Sequence, residues 1–354
     1  MKHAPTHSAR WLRLLLALAA LAPVSADAMG RRRAAEEERL ESDYRRLDEF
    51  ASANSLSEPV ELGDQLYGVS NRWTSVSIAT GSRRATLNGR LIWMSLPNLD
   101  LAGHPALSRL DEVKTLRPIL QSEWCLPPNE GEHVVLDPGH GGNDTGARGG
   151  GGTLEKAMTL DIAKRVAAHM DARSIPWRMT RTDDRFIELP ARARFAAAND
   201  ARLFVSIHFN SSGNPQSSGV ESFALSLPGT ASTNDPDAQA PPAVENPGNR
   251  FDEANIVLAY LIQDSLLERQ TGADRGVRRA RFSVLRDAPC PAALVECGFL
   301  SNAEEEQRIL DAGHREKIAA SITDGIVRYL NAERRADILR ETPPRPADDG
   351  PVSR

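Results

Sequence analysis

The spacing of hydrophobic and polar positions changes character twice along this chain. Residues 31–50 (RRRAAEEERLESDYRRLDEF) are dense in charge of both signs, and the span 29–64 reads as a charged, solvated helical lead-in. From 65 to 97, polar and apolar residues alternate with Thr, Val and Ile, the period of half-buried strands. The Asn88-Gly89 pair between two such runs is a hairpin signal. Residues 106–121 place Leu107, Leu110, Val113, Leu116 and Leu120 three and four apart, which predicts a helix. Pro127-Pro128 then marks a boundary, so 65–126 is read as a small β-rich module.

From 133 onward short apolar runs alternate with helical periods. Strands are expected at 133–137, 176–181, 202–207, 219–225 and 292–296. Helices are expected at 155–172, 189–198, 252–270 and 313–332, with Leu160, Ala163, Val166 and Ala167 on the inner face of the first. This alternation predicts an α/β domain over 133–332, a sheet with helices on both faces. Residues 228–250 are rich in Pro, Asn, Asp and Gly without periodicity and read as a long loop. The tail 335–354 has the composition of a disordered segment.

The first 28 residues change where the rest is expected to work. Lys2, Arg10 and Arg13 precede a short apolar run, Leu14 to Val24, and Ala26-Asp27-Ala28 follows as a cleavage site. That is a signal peptide, with a mature chain starting near Met29. An uncleaved anchor is the alternative, and both place the remainder outside the cytoplasm. No later stretch approaches the roughly 20 apolar residues of a membrane span. The net charge of −5 over 354 residues argues against a general nucleic-acid binder. Export permits disulfides. On an extended strand Cys290 and Cys297 would lie about 20 Å apart, beyond the roughly 7 Å that a disulfide spans. Only Cys125 could pair with either.

The candidate chemistry sits where strands end. Val134–Asp137 runs into Pro138-Gly139-His140 among glycines, and Leu203–Ile207 runs into His208. In open α/β sheets ligands bind beyond the carboxyl ends of strands, and neutral imidazole binds metals. Gly149–Gly152 leads to Glu155 at a helix start, and Ala292–Val295 leads to Glu296. Taken singly, Glu155 reads as a first-turn Glu complementing the helix dipole, and His208 as a hydrogen-bonded core histidine. An acidic residue closing an apolar strand is costly unless paired or used. Together the four residues form one set on one sheet edge, and two His with one Glu plus water is a catalytic zinc set. His169 cannot share it, being about 21 Å along the helix from Glu155.

These segments resemble the zinc-dependent N-acetylmuramoyl-L-alanine amidases. The likeness rests on VVLDPGHGGNDTGA (134–147), LEKAMTLDIAKRV (154–166), TRTDD (180–184), ARARFAAANDARLFVSIHFNSS (191–212), GVESF (219–223) and ALVECGFLSNAEE (293–305), and spans 133–331. The resemblance implies a twisted, mostly parallel sheet flanked by helices. It implies one zinc ion on His140, Glu155 and His208, with Glu296 as the catalytic glutamate. Peptidoglycan is then the substrate, cut between muramic acid and L-alanine in wall remodelling or daughter-cell separation, in the periplasm or at the wall. A protein activator is a candidate second partner. Some family members carry an inhibitory helix near 228–250; Pro236, Pro241, Pro242 and Pro247 argue against one here. Residues 73–121 are similar to small β-hairpin domains that resemble the N-terminal domain of copper amine oxidases, which suggests a wall-binding or spacer role. His104 is their only histidine, so no copper site follows.

The expected reaction is direct attack of water on an amide, with zinc as Lewis acid and Glu296 moving the proton. Arg181, Asn210 and Asn302 are candidates to line the site, and Cys297 is read as structural. A zinc peptidase acting within the stem peptide is the competing enzyme. A non-catalytic wall-binding or activator protein is the competing class, and it should have lost one of the four residues.

Overall fold

A computed structural model describes residues 38–128, 131–234, 239–269 and 271–341. The signal segment read over 1–28 lies outside them, as do residues 342–354. The chain divides into two compact units, Met1–Glu112 and Val113–Arg354. The division falls short of the Pro127-Pro128 boundary read from the sequence.

In the first unit residues 38–43 are helical, but the lead-in is not one solvated helix. The chain leaves it as strand β1 (Tyr44–Arg46) and re-enters as α1 (Leu47–Ala53). Tyr44, Leu47, Phe50 and Ala51 are buried, so the apolar minority within this charged segment forms core. Five antiparallel strands follow as a meander: β2 (Val60–Gly63), β3 (Leu66–Ser70), β4 (Ser75–Ala79), β5 (Arg84–Leu87) and β6 (Arg90–Trp93). Asn88 and Gly89 join β5 to β6 with φ of 50° and 77°, the left-handed pair of a type I′ hairpin. Next come β7 (Leu99–Leu101) and β8 (His104–Ser108), and β8 pairs with β1. The helix expected from 106 therefore starts late. Ala106–Ser108 are claimed by pairing with Tyr44–Arg46, and the Ser108 hydroxyl then caps Asp111 N. Strand pairing overrode a helical period that Leu107 alone had extended backwards.

In the second unit the strands are β9 (His133–Pro138), β10 (Trp177–Met179), β11 (Ala201–Asn210), β12 (Val220–Leu225), β13 (Asp274–Ala280) and β14 (Ala292–Phe299). They lie in the order β10-β9-β11-β14-β12-β13. All neighbours are parallel except β12 and β14, so the sheet is mostly parallel. Strand β13 was not legible: Asp274-Arg275-Gly276-Val277-Arg278-Arg279 has no apolar run. It forms because Arg278 reaches Glu221 and Arg279 reaches the Leu225 and Lys114 carbonyls.

After two short helical turns, Arg117–Leu120 and Ser122–Cys125, the α-helices that follow β9 are α2 (Glu155–Asp171), α3 (Leu189–Ala198), α4 (Asp252–Glu268), α5 (Ser283–Arg286), α6 (Ala303–Leu310) and α7 (Ala312–Glu341). Val135, Phe204, Leu294 and Phe223 form one face of the sheet with Ala196 of α3 and Leu285 of α5. Ser222 faces the other way and donates to Gln263 of α4. Helix α2 buries Thr159, Ile162, Ala163, Val166, Ala167 and Met170, so its inner face includes Ile162 and Met170 while Leu160 is half-buried. Helix α4 is buried nearly all round because α7 covers its outer side. Helix α7 runs to Glu341, well into the expected tail. Ala332, Glu333 and Ala336 continue the stripe of Ile318, Ile322, Ile326 and Tyr329, and Arg340 donates to the Leu126 carbonyl. None of the described helices is long and apolar enough to cross a membrane. The three cysteines are free thiols, with Cys290 and Cys297 buried.

Gly325 lets α7 lie directly on α4: a Cβ there would stand 2.6 Å from Ile262 Cα. Gly→Ala in a helix normally gains about 1 kcal/mol, but overpacking against backbone costs about 1–3 kcal/mol. Gly325→Ala is therefore expected to lower the thermal unfolding midpoint in calorimetry. An unchanged or higher midpoint would show that the two helices can separate at little cost.

Candidate functional site

The site is assembled at the carboxyl ends of β9, β11 and β14. Strand β9 is buried throughout, and its Asp137 has no exposure to solvent. That carboxylate is satisfied by Arg192 Nη1 at 2.7 Å, Thr180 Oγ1 at 2.6 Å and Ser206 Oγ at 2.8 Å. Arg192 also donates to the Pro138 and His140 carbonyls, both at 2.8 Å. From the other side Arg181 donates to the carbonyls of Pro138 (3.0 Å) and Gly139 (2.7 Å). Two buried guanidinium groups thus hold the turn Pro138-Gly139-His140. The turn needs holding, because His140 has φ of 62°, a conformation that non-glycine residues rarely adopt.

His140 turns Nδ1 to Asp144 Oδ2 at 2.8 Å and Nε2 towards Glu155 Oε1 at 3.1 Å. His208 projects from β11 with Nδ1 2.9 Å from the same oxygen. The two rings stand edge to face, 5.0 Å between centroids. Gly139 makes room for this: a Cβ there would lie 2.6 Å from His208 Nδ1. Glu155 is the first residue of α2 and is almost fully buried. Ala147 N donates to its Oε2 at 2.7 Å and Phe209 N to its Oε1 at 3.1 Å. Burial pushes its carboxyl up, but the hydrogen bonds from His140 and His208 outweigh that and hold it far below the usual carboxylate range. Burial lowers His140, and its contacts to Glu155 and Asp144 more than compensate, so its pKa is raised. One ligand atom from each of His140, Glu155 and His208 lies within 4.8 Å of the others. Two imidazoles and an ionised carboxylate at that spacing suit a divalent metal.

Glu296 is in register with His208 on parallel β11 and with Glu221 on antiparallel β12. Its Oε2 is buried without a hydrogen-bond partner among the described residues. Burial raises its pKa well above the ordinary value, and the charges of Glu155 and Glu221 raise it further. A cation among the three ligand atoms would oppose that shift. Beside the imidazoles lies a cleft of about 350 Å³, walled by Phe186, Leu189, Phe282, Val284 and Leu294.

The four residues picked from the sequence therefore come together, and three further candidates find other work. Arg181 is fully buried and braces the β9 turn from beneath. Asn302 caps α6 by accepting from Glu304 N and Glu305 N. Asn210 donates to Glu221 Oε1 at 2.7 Å, while Arg278 pairs with Glu221 Oε2 at 2.7 Å. Cys297 is buried with Sγ 3.9 Å from the Val295 carbonyl, consistent with a structural thiol. Sequence reasoning missed Asp144, Arg192 and Glu221. Asp144 had a faint signal, an acidic residue four places after His140 in a glycine turn. Arg192 lies in a helix where a charged residue reads as solvent-facing. The loop containing 228–250 has no α-helix among its described residues, only a 3-10 turn from Pro247 to Phe251.

Comparison with known proteins identifies a family. A model of the N-acetylmuramoyl-L-alanine amidase family matches residues 134–328. The amidase AmiA of Escherichia coli K12 is 36% identical over 225 residues, covering 56% of this chain and 76% of that protein. The protein YqiI of Bacillus subtilis is 32% identical over 242 residues, covering 68% of this chain and 99% of its own length. Among solved structures, the catalytic domain of the amidase CwlV from Bacillus (Paenibacillus) polymyxa is 32% identical over 57% of this chain and 99% of that chain, with a TM-score of 0.48. Because the family match takes in every strand from β9 to β14 and both histidines and both glutamates of the site, this chain belongs to the N-acetylmuramoyl-L-alanine amidases and is an enzyme of that class.

Proposed function

We propose that this chain hydrolyses the amide between N-acetylmuramic acid and L-alanine in peptidoglycan, using one zinc ion held by His140, Glu155 and His208, with Glu296 as general base and acid. The observation that carries this is the buried Oε2 of Glu296, which has no hydrogen-bond partner among the described residues and lies in register beside His208. A buried carboxylate oxygen without a donor is costly unless something is meant to meet it. Zinc supplies Lewis acidity, which acidifies water and polarises a carbonyl. Glu296 takes one proton from the attacking water. It returns that proton to the amide nitrogen as the carbon–nitrogen bond breaks, leaving a lactyl carboxyl group on the sugar and a free amine on the peptide, and the carboxyl then gives its proton to that amine or to solvent. Its raised proton affinity suits a group that must hold a proton between two partners. Asp144, on the far nitrogen of His140, fixes the ring's orientation and increases its basicity. No covalent step is needed, and burial pushes the Cys297 thiol well above its ordinary range, which disfavours the thiolate a nucleophile would need. Export to the periplasm or wall belongs to the same reading, as does a wall-binding or spacer role for the module over 65–126.

The test is mass spectrometry of peptidoglycan digested by the chain, with chelator and after zinc is restored. Intact stem peptides with a free L-alanine amine, lost with chelator and regained with zinc, are expected. Shortened peptides would move the assignment to a zinc peptidase acting within the stem.

Two variants test the roles. Glu296→Gln should keep its zinc and lose turnover by a factor of about 10² to 10⁴. Near-normal turnover would remove Glu296 as the proton carrier. His140→Ala should fail to retain zinc through dialysis, as read by metal analysis; full zinc content would take His140 out of the ligand set.

A further inference from the structure

Glu306 sits in α6, where a run of three glutamates reads as an ordinary acidic first turn. The structure puts it to different use. Its side chain is almost completely buried, and its acceptors are claimed by a loop 153 and 155 residues away in sequence. Gly151 N donates to Oε2 at 2.8 Å and Thr153 N to Oε1 at 3.2 Å. That loop is the run Gly149–Gly152, which has no side chain to pack and loses the most backbone entropy on ordering. Its internal bonds are few: Gly149 N to the Thr153 carbonyl, Gly152 N to the Gly149 carbonyl, and a bridge between Arg148 and Leu154. Immediately beyond it, Glu155 N donates to the Ala147 carbonyl while Ala147 N donates to Glu155 Oε2. The position of the Glu155 carboxylate therefore depends on both ends of this loop being held.

We propose that Glu306 is a positioning residue for the metal site, clasping the glycine loop so that Glu155 meets His140 and His208. This rests on the zinc reading above. Its neighbour Glu305 shows what the α6 turn braces. Glu305 accepts from Phe299 N, at the end of the strand that carries Glu296, and from Gly219 N, just before β12. One helical turn thus ties the Glu155 loop to the Glu296 strand. Hydrogen bonds to a carboxylate are roughly twice as strong as neutral ones, which makes Glu306 a firm anchor for a loop with little order of its own. The fit is close on the other side too: a Cβ on Gly149 would collide with Glu306 Oε1.

The experiment measures zinc affinity of the full chain by competition with a chromophoric chelator, alongside thermal unfolding of the zinc-free protein. Glu306→Ala is expected to weaken zinc binding about 10-fold or more, the scale of lost outer-shell support, while the zinc-free unfolding midpoint moves little. Glu306→Gln, which keeps one acceptor oxygen, should fall between. Gly149→Ala should also weaken zinc, because its methyl displaces the clasp. The double variant Gly149→Ala with Glu306→Ala should be no worse than Glu306→Ala alone, since the three atoms nearest the methyl all belong to the removed Glu306 carboxylate. Normal zinc binding by the unaltered chain with unchanged affinity in Glu306→Ala, or losses that add in the double variant, would overturn the inference alone. An unaltered chain that binds no zinc would overturn the metal reading and the inference with it.

Discussion

The ion pair between Asp137 and Arg192 is the interaction on which the site depends. Both side chains are removed from water, and removing one partner of such a pair costs about 3–5 kcal/mol because the other charge is left uncompensated. Here the pair does more than neutralise itself. Arg192 carries the constraint onward to the Pro138 and His140 carbonyls, and Arg181 meets the same turn from the opposite side. A histidine in the left-handed region persists only where its surroundings over-determine it. Once that turn is set, Nε2 of His140 faces Glu155 and Nδ1 faces Asp144 without further adjustment.

The two glutamates of the site are buried side by side in opposite electrostatic settings. Glu155 is surrounded by donors, two imidazoles and two backbone N–H groups, and its proton affinity is driven down. Glu296 has burial and two neighbouring carboxylates, and its proton affinity is driven up. One carboxyl is thereby held in its ionised form and the other is pushed towards its protonated form. The difference is set by neighbours rather than by residue type. Glu221, opposite Glu296 on β12, is itself held by Asn210 and Arg278, which fixes its position beside Glu296.

Support for these groups comes from elements distant in sequence. The α6 turn reaches both the Glu155 loop and the Glu296 strand, and α7 covers α4 at a distance only glycine permits. The first unit is organised separately around Leu47, Phe50, Ile78, Leu87 and Ile92, with its meander register pinned by the Asn88-Gly89 turn.

The α/β class, the order of most strands and helices, and the grouping of His140, Glu155, His208 and Glu296 at one sheet edge were legible in the sequence. Apolar runs ending in Gly-His, in His or in Glu carry a local signal, because a polar group closing a buried strand demands an explanation. The Asn-Gly turn was legible for the same kind of reason, a backbone conformation that few residues accept. What could not be read lay in partnerships. Arg192, Arg279 and Glu306 look like surface charge until the fold supplies Asp137, the Leu225 carbonyl and the glycine loop. Strand β13 has no apolar period because its arginines satisfy acceptors instead of facing water. Ala106–Ser108 became strand because Tyr44–Arg46 offered it hydrogen bonds, and α7 continued past its expected end because Ala332 and Ala336 had a surface to bury against. Local sequence determines period and the chemistry at strand ends. Only tertiary structure decides which charges are buried, because a charge can leave water only where a distant partner replaces the water it gives up.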